Sequence, residues 1–363
     1  MRIPVYITYP KCYAHVDLPP PVFITIIMIM KKKIDFSLPH GVVRKTLTPE
    51  IVMAGHESKS VKQHETDHQS NQSSPLIFQD VVKAQEQAGG GIDALSLAFF
   101  ELANVAHVGY RLSACHIKSS EQDLVISARQ DISISNESNT GKIVWETSYL
   151  LLTFLLERKV KLGKVLEVGA GCGMLGIVLA VSKYAKKVVL TECIDVMSNL
   201  ELNVIRNASI LTTKKDKHLA VARQLDWLAP HHDISRFPRN LQEHSFDTIV
   251  GTDVVYTQSL VEPLLFTLRL MAHKKTTVYL CLQIRCEDSH KLLLSKASEH
   301  NWKVKDISEE LSSMSSCSWG VDLECKVFQL TTIDQVKSRK RKSESTEHDE
   351  TPSALRQAKI GTR

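Results

Sequence analysis

From Lys164 onward the chain alternates compact runs rich in Val, Ile and Leu with stretches that carry one apolar face. Residues 164–168, 187–191, 219–225, 248–252, 277–283, 303–307 and 326–331 read as strands. Residues 174–182, 194–207, 259–272 and 289–300 read as helices. Strands of this composition, separated by helices, predict an α/β fold with a mainly parallel, Rossmann-like sheet covered on both faces. Right-handed crossovers then place a ligand at the carboxyl ends of the central strands. Upstream, residues 94–105 read as a helix with an apolar face, 123–128 as a strand, and 135–141 as a Ser- and Asn-rich turn closed by Gly. Residues 145–157 read as a helix in which Tyr149, Leu150, Leu152, Thr153, Phe154 and Leu156 leave few polar faces, so it should be largely buried.

The pattern sets the expected boundaries: an N-terminal extension over 1–91, largely disordered, a folded domain over 92–333, and a disordered basic tail over 334–363. Residues 56–75 hold a single apolar aliphatic side chain, Val61, among Ser, Gln, His, Lys and Glu, too few to offset the entropy of ordering. His56, His64 and His68 there read as a metal site or, far more ordinarily, as a solvated polar tract. In the tail, Lys337, Arg339, Lys340, Arg341 and Lys342 read as a nuclear localisation signal, a nucleic-acid contact or a solvated basic tail.

Composition narrows the classes. Of 363 residues 43% are hydrophobic, which excludes wholesale disorder, and 15 Gly with 12 Pro exclude a collagen-like or proline-rich scaffold. A net charge of +5 is low for a nucleic-acid binder. The longest apolar run, residues 21–30, is too short to span a bilayer, so no membrane partner is expected. The 8 cysteines form no CxxC pair, so no structural metal is expected and a reducing compartment fits.

Candidate chemistry begins at Val165-Leu-Glu-Val-Gly-Ala-Gly-Cys-Gly-Met-Leu-Gly176, a strand that runs into a glycine loop and then a helix. Glycines there let the backbone turn sharply and approach a ligand closely. Gly171, Gly173 and Gly176 satisfy the dinucleotide spacing GxGxxG, but Glu167 near the strand end would repel a pyrophosphate. It suits a ligand with a cationic end and no phosphate, such as S-adenosylmethionine, or is a carboxylate satisfied by loop N–H groups. Glu192, about 20 residues past the loop, can accept both ribose hydroxyls. Asp226 and Trp227 at the third strand end suit an adenine. The fourth strand ends in Asp253-Val-Val-Tyr256, an acid and a phenol beside the glycine loop; taken alone, these could be a helix cap and a packing residue.

These residues resemble the seven-β-strand class I methyltransferases and, within them, the family 16 protein lysine methyltransferases. The resemblance rests on Thr140-Gly-Lys-Ile-Val-Trp145-Glu146, Glu167-Val-Gly-Ala-Gly-Cys-Gly173 and Gly251-Thr-Asp-Val-Val-Tyr256, the last similar to the group's DxxY motif; Asp226-Trp227 also fits. It implies a seven-stranded class I methyltransferase fold with S-adenosyl-L-methionine as cofactor. It further implies that Trp145, Gly169, Ala170, Gly171, Glu192, Trp227 and Thr252 contact that cofactor. Asp253 and Tyr256 would border the substrate amine, Asp253 orienting it and Tyr256 walling its channel. Glu192 stands where Asp is more usual, and Thr252, in place of a small apolar residue, adds a hydroxyl that must find a partner. The substrate implied is a lysine of another protein, as members of the group act on chaperones and translation elongation factors.

The expected enzyme is a monomer of the cytoplasm, with entry to the nucleus if the basic run is a signal. A methyltransferase for a nucleic acid or a small-molecule amine is the first alternative. Asp253-Val-Val-Tyr256 lacks the prolines that shape a slot for a flat base, which favours an aliphatic amine. A methyltransferase fold used only as a binding module is the second. A nicotinamide oxidoreductase is third and lacks a hydride-transfer site.

Overall fold

A computed structural model describes residues 3–9, 12–18, 74–89, 91–118, 121–132, 140–212, 219–228, 241 and 246–333. Residues 21–30, 56–73 and 135–139 and the basic run 337–342 lie outside the described residues. The chain divides into two units, Met1–Ser74 and Pro75–Arg363.

In the first unit, β1 (Ile3–Tyr9) and β2 (Cys12–Leu18) form an antiparallel hairpin with Ile3 opposite Leu18. The first strand reads IPVYITY, six of its residues β-branched or aromatic, which favours a pleated conformation.

The second unit opens with β3 (Leu76–Ile77), α1 (Phe78–Gln87), α2 (Ile92–Ala103), β4 (His107–Leu112) and β5 (Leu124–Arg129). A small sheet pairs β3 parallel to β4 and β4 antiparallel to β5. The folded unit thus starts at Pro75, not at residue 92 as the polar composition suggests. Phe78, Val81 and Val82 supply the reason: they fall on one face of α1 and are buried. Phe78 stacks on Tyr149 with ring centroids 4.3 Å apart and planes 3° from parallel, and it also meets Trp319 at 5.8 Å. A short apolar face is enough when its partner is a buried aromatic ring.

After α3 (Glu146–Glu157) the strand–helix alternation follows as expected: β6 (Gly163–Val168), α4 (Met174–Val181), β7 (Ala185–Glu192), α5 (Ile194–Arg206), β8 (Ala220–Gln224), β9 (Phe246–Thr252), α6 (Val261–Met271), β10 (Ala272–Gln283), α7 (Glu287–Lys296), β11 (Trp302–Asp306) and β12 (Cys325–Thr332). The seven-stranded sheet runs β11-β12-β10-β9-β6-β7-β8. Every pairing from β10 to β8 is parallel, and only those made by β12 are antiparallel. This is the α/β, class I methyltransferase architecture that the sequence leads one to expect.

Alternation along β6 shows why both faces are covered. Val165 enters the core shared with α3 and α4, while Leu166 and Val168 enter the core shared with α6. Helix α3 is buried from Glu146 to Leu156 except at Ser148. The order of the strands reverses between β6 and β9, the switch point at which open α/β sheets leave a crevice outside the carboxyl ends of the strands. Among the described residues, no helix is long and apolar enough to cross a membrane.

Candidate active site

The glycine loop leaves β6 at that crevice. Gly169, Gly171 and Gly173 have φ of 62°, 55° and 79°, a region that residues with a side chain rarely enter. Space is also short. A Cβ on Gly169 would lie 2.9 Å from Val254 Cγ1 and 3.1 Å from the Trp227 ring, and one on Gly171 would lie 3.0 Å from the Gly141 carbonyl oxygen. The loop is therefore pressed between the Asp253–Tyr256 segment, Trp227 and the chain that leads to Trp145. Ala170 ties it to β7 through its N–H, which donates to the Thr191 carbonyl at 2.9 Å.

Glu192 ends β7 with its carboxylate at the loop. It accepts the Gly171 N–H at 2.8 Å through Oε2 and its neighbour Cys193 N–H at 2.9 Å through Oε1. Each carboxylate oxygen accepts more than one hydrogen bond, so a diol can still be held. Beside it, Ile194 is 64% exposed and Leu228 61%. These exposed apolar side chains, with the half-buried Trp227, stand at the ends of β7 and β8, where a flat base would cover them. Asp226 is exposed and accepts the Leu228 N–H at 2.9 Å, holding the turn.

Glu167 does not face this crevice. It is 1% exposed and points under α4, where a Cβ on Gly176 would lie 2.2 Å from its Oε2. Burial pushes its carboxyl up to about 8, against a backbone hydrogen bond from Gly176 that lowers it. The expectation that Glu167 meets a cationic ligand end is corrected. Strand parity turns its side chain toward the helix layer with Val165, and the partly satisfied carboxylate belongs to the loop's support.

On the other side of the loop, Asp253 follows β9 with φ of 50°. Its Oδ1 accepts the Gln283 N–H at 2.9 Å, and its Oδ2 accepts from Arg285 Nη2 at 3.0 Å. The same Arg285 nitrogen donates to Glu146 Oε1 at 2.9 Å. Burial raises the Glu146 carboxyl above its usual range, although Arg285 opposes this. Burial also works against the Arg285 charge, but the carboxylates of Asp253 and Glu146 outweigh it, so the guanidinium stays charged. That guanidinium lies over Trp145, 4.5 Å from the ring centroid. Trp145 donates its ring N–H to the Thr140 carbonyl at 2.8 Å.

Thr252 finds the partner its hydroxyl needs in Ser148 on α3, at 2.9 Å. Tyr256 is 47% exposed. Burial, and next the charge of Glu192, raise its phenol above the usual value. The structure thus gathers Gly169, Ala170, Gly171, Glu192, Trp227 and Tyr256 around the loop, and Trp145, Thr252 and Asp253 at the end of β9. Arg285 joins the second group and was not singled out from sequence. Its partners lie 32 and 139 residues away, a separation no local pattern signals.

Known proteins are similar to this chain in sequence. The sequence profile described as lysine methyltransferase matches residues 125–300. Protein-lysine methyltransferase METTL21E of Mus musculus is 31% identical over 158 residues, 42% of this chain and 60% of the relative. Protein N-lysine methyltransferase METTL21A of Danio rerio is 30% identical over 187 residues, 50% of this chain and 78% of the relative. EEF1A lysine methyltransferase 3 of Xenopus tropicalis is 29% identical over 146 residues, covering 40% and 58%. The chain spans 60% of the murine METTL21E and 51% of the bovine one.

Proposed function

Because this chain belongs to the lysine methyltransferase family, we propose that it transfers a methyl group from S-adenosyl-L-methionine to the side-chain amine of a lysine on another protein. One observation carries the reading. The glycine loop and the Asp253–Tyr256 segment abut, with the Gly169 Cβ position 2.9 Å from Val254, so a cofactor on the loop and an amine at Asp253 would be neighbours.

The residues fit the cofactor. Glu192 has acceptor capacity left for a ribose, Ile194, Trp227 and Leu228 offer apolar surface for a base, and no side chain of the loop itself stands in the way. Bound there, S-adenosylmethionine supplies a methyl on a sulfonium, open to in-line displacement. The chain's own task is then to bring a neutral amine into line. A lysine amine has a pKa of about 10.4 in water and must lose a proton before it attacks. A dry approach favours that loss by desolvating the ammonium. Asp253 acts as an orienting acceptor: its two bonds leave each oxygen a further lone pair for an amine N–H. Tyr256, half-exposed and within reach of the Glu192 charge, would border the approach of the amine. Alignment supplies most of the acceleration.

A folded substrate such as a translation factor or a chaperone is the class we propose; one relative's name, EEF1A lysine methyltransferase 3, gives it support. The test is transfer of labelled methyl from S-adenosylmethionine in a cell extract, wild type beside Asp253→Ala, with protease or nuclease applied afterwards. Label that protease removes and the variant does not deposit supports the reading. Label that nuclease removes overturns it in favour of a nucleic-acid substrate. No label despite cofactor binding leaves a small-molecule methyltransferase or a binding module.

A further inference from the structure

Arg285 touches three side chains at once. Its Nη2 bonds Glu146 at the start of α3 and Asp253 after β9, and its plane lies over Trp145. Its own N–H donates to the Gln283 carbonyl at 2.8 Å, which fixes the turn that leaves β10. Gln283 in turn supplies the backbone N–H that holds the second Asp253 oxygen. The last residues of β10 and the turn after it therefore grip Asp253 from both sides.

We propose that Arg285 is a positioning residue for methyl transfer, one that fixes the Asp253 carboxylate for the incoming amine and holds Trp145 in place. The proposal rests on the methyl-transfer reading. Four observations lead to it. Asp253 has φ of 50°, a conformation that persists only where surrounding contacts over-determine it, and the two bonds from Gln283 and Arg285 do so. Glu146 and Asp253 are nearly buried, so removal of the guanidinium would leave two carboxylates without a counter-charge. The guanidinium lies on Trp145 while bonding two acids, and a planar cation can do both where a lysine ammonium cannot. Finally, Arg285 Nη1 and Gln283 Oε1 are buried without a partner. A donor and an acceptor left open on residues that hold Asp253 are what a site completed by a polar substrate group would show.

The test compares Arg285→Met, Arg285→Lys, Glu146→Gln and the Glu146→Gln/Arg285→Met pair with wild type. Three quantities are read: the single-turnover rate at saturating S-adenosylmethionine, the cofactor Kd, and tryptophan fluorescence with and without Trp145→Phe. Arg285→Met should lower the rate about a hundredfold, the scale of a small misplacement of reacting groups. Its cofactor affinity should fall far less than its rate, since no bond of the glycine loop is touched and Trp145 keeps its bond to the Thr140 carbonyl. Arg285→Lys should recover part of the rate. The double variant should be no slower than Arg285→Met alone, because Glu146 acts through the guanidinium. Arg285→Met should change the fluorescence, and Trp145→Phe should abolish that change. A wild-type rate in Arg285→Met, or a loss matched by the loss of cofactor affinity, overturns the proposal. A wild type that transfers to no protein removes the reading beneath it, whereas transfer by wild type and Arg285→Met at equal rates overturns the proposal alone.

Discussion

The two halves of the cleft are built by different means. On the β6–β7 side the site is made of backbone: three glycines with positive φ, and a carboxylate that accepts main-chain N–H groups. On the β9–β10 side it is made of charges, with Asp253, Glu146 and Arg285 joined in a partly buried cluster. The backbone half tolerates no added atom, and the charged half tolerates no lost one. On the methyl-transfer reading, a cofactor common to many enzymes is met by fixed main-chain shape and the amine by an acid that long side chains set in place.

The sharpest break of this comparison is Asp253→Ala. It should lower methyl transfer by at least about a hundredfold while cofactor Kd, measured by calorimetry, moves little. Equal losses in both would show that the halves are one unit. Next comes Gly171→Ala, at φ of 55° and 3.0 Å from a backbone oxygen. A left-handed alanine costs about 1–2 kcal/mol, so cofactor affinity should fall roughly tenfold or more, with the rate at saturating cofactor near that of wild type. An unchanged Kd would remove the argument from backbone shape.

Glu167 offers a third. Its carboxyl is pushed up to about 8 in the fold, above its unfolded value, so the protonated form is the one the fold favours. Stability should therefore fall as pH rises from the usual carboxylate range through 8, by at most about 1.4 kcal/mol per pH unit. Glu167→Gln should flatten that slope, so its melting curves at pH 9 should match or exceed those of wild type. Parallel dependence of Tm on pH in the two proteins would sink this account. The smallest effect belongs to Thr252→Ala, which breaks the hydroxyl pair with Ser148 where α3 meets β9. A loss of about 1 kcal/mol in thermal stability is expected, with transfer changed severalfold at most; a collapse of activity would make the threonine a catalytic partner.

The sequence made the backbone half legible because its signals are contiguous. The glycine run and Glu192 at the next strand end each follow an apolar block that fixes their place, and of the charged half Asp253 alone does so, after the fourth strand. Glu167 misled because its nearness to the glycines outweighed strand parity, which sets it beside Val165 and under α4. Arg285 was invisible, since its meaning lies in partners from two other elements. The start of the fold was missed for a related reason. Phe78, Val81 and Val82 are a sparse apolar set in a polar stretch, and they count only once Tyr149 and Trp319 are seen to face them.

Helix α3 has one more consequence. It gives the cleft its first turn, with Trp145 leading in, yet its remaining turns lie in the core of the second unit under Phe78. Amide hydrogens there can reach solvent deuterium only when the whole domain opens. Exchange measured along this single peptide would run from a ligand-sensitive edge to a clock for global unfolding, so occupancy of the cleft and persistence of the fold could be read from neighbouring masses in one spectrum.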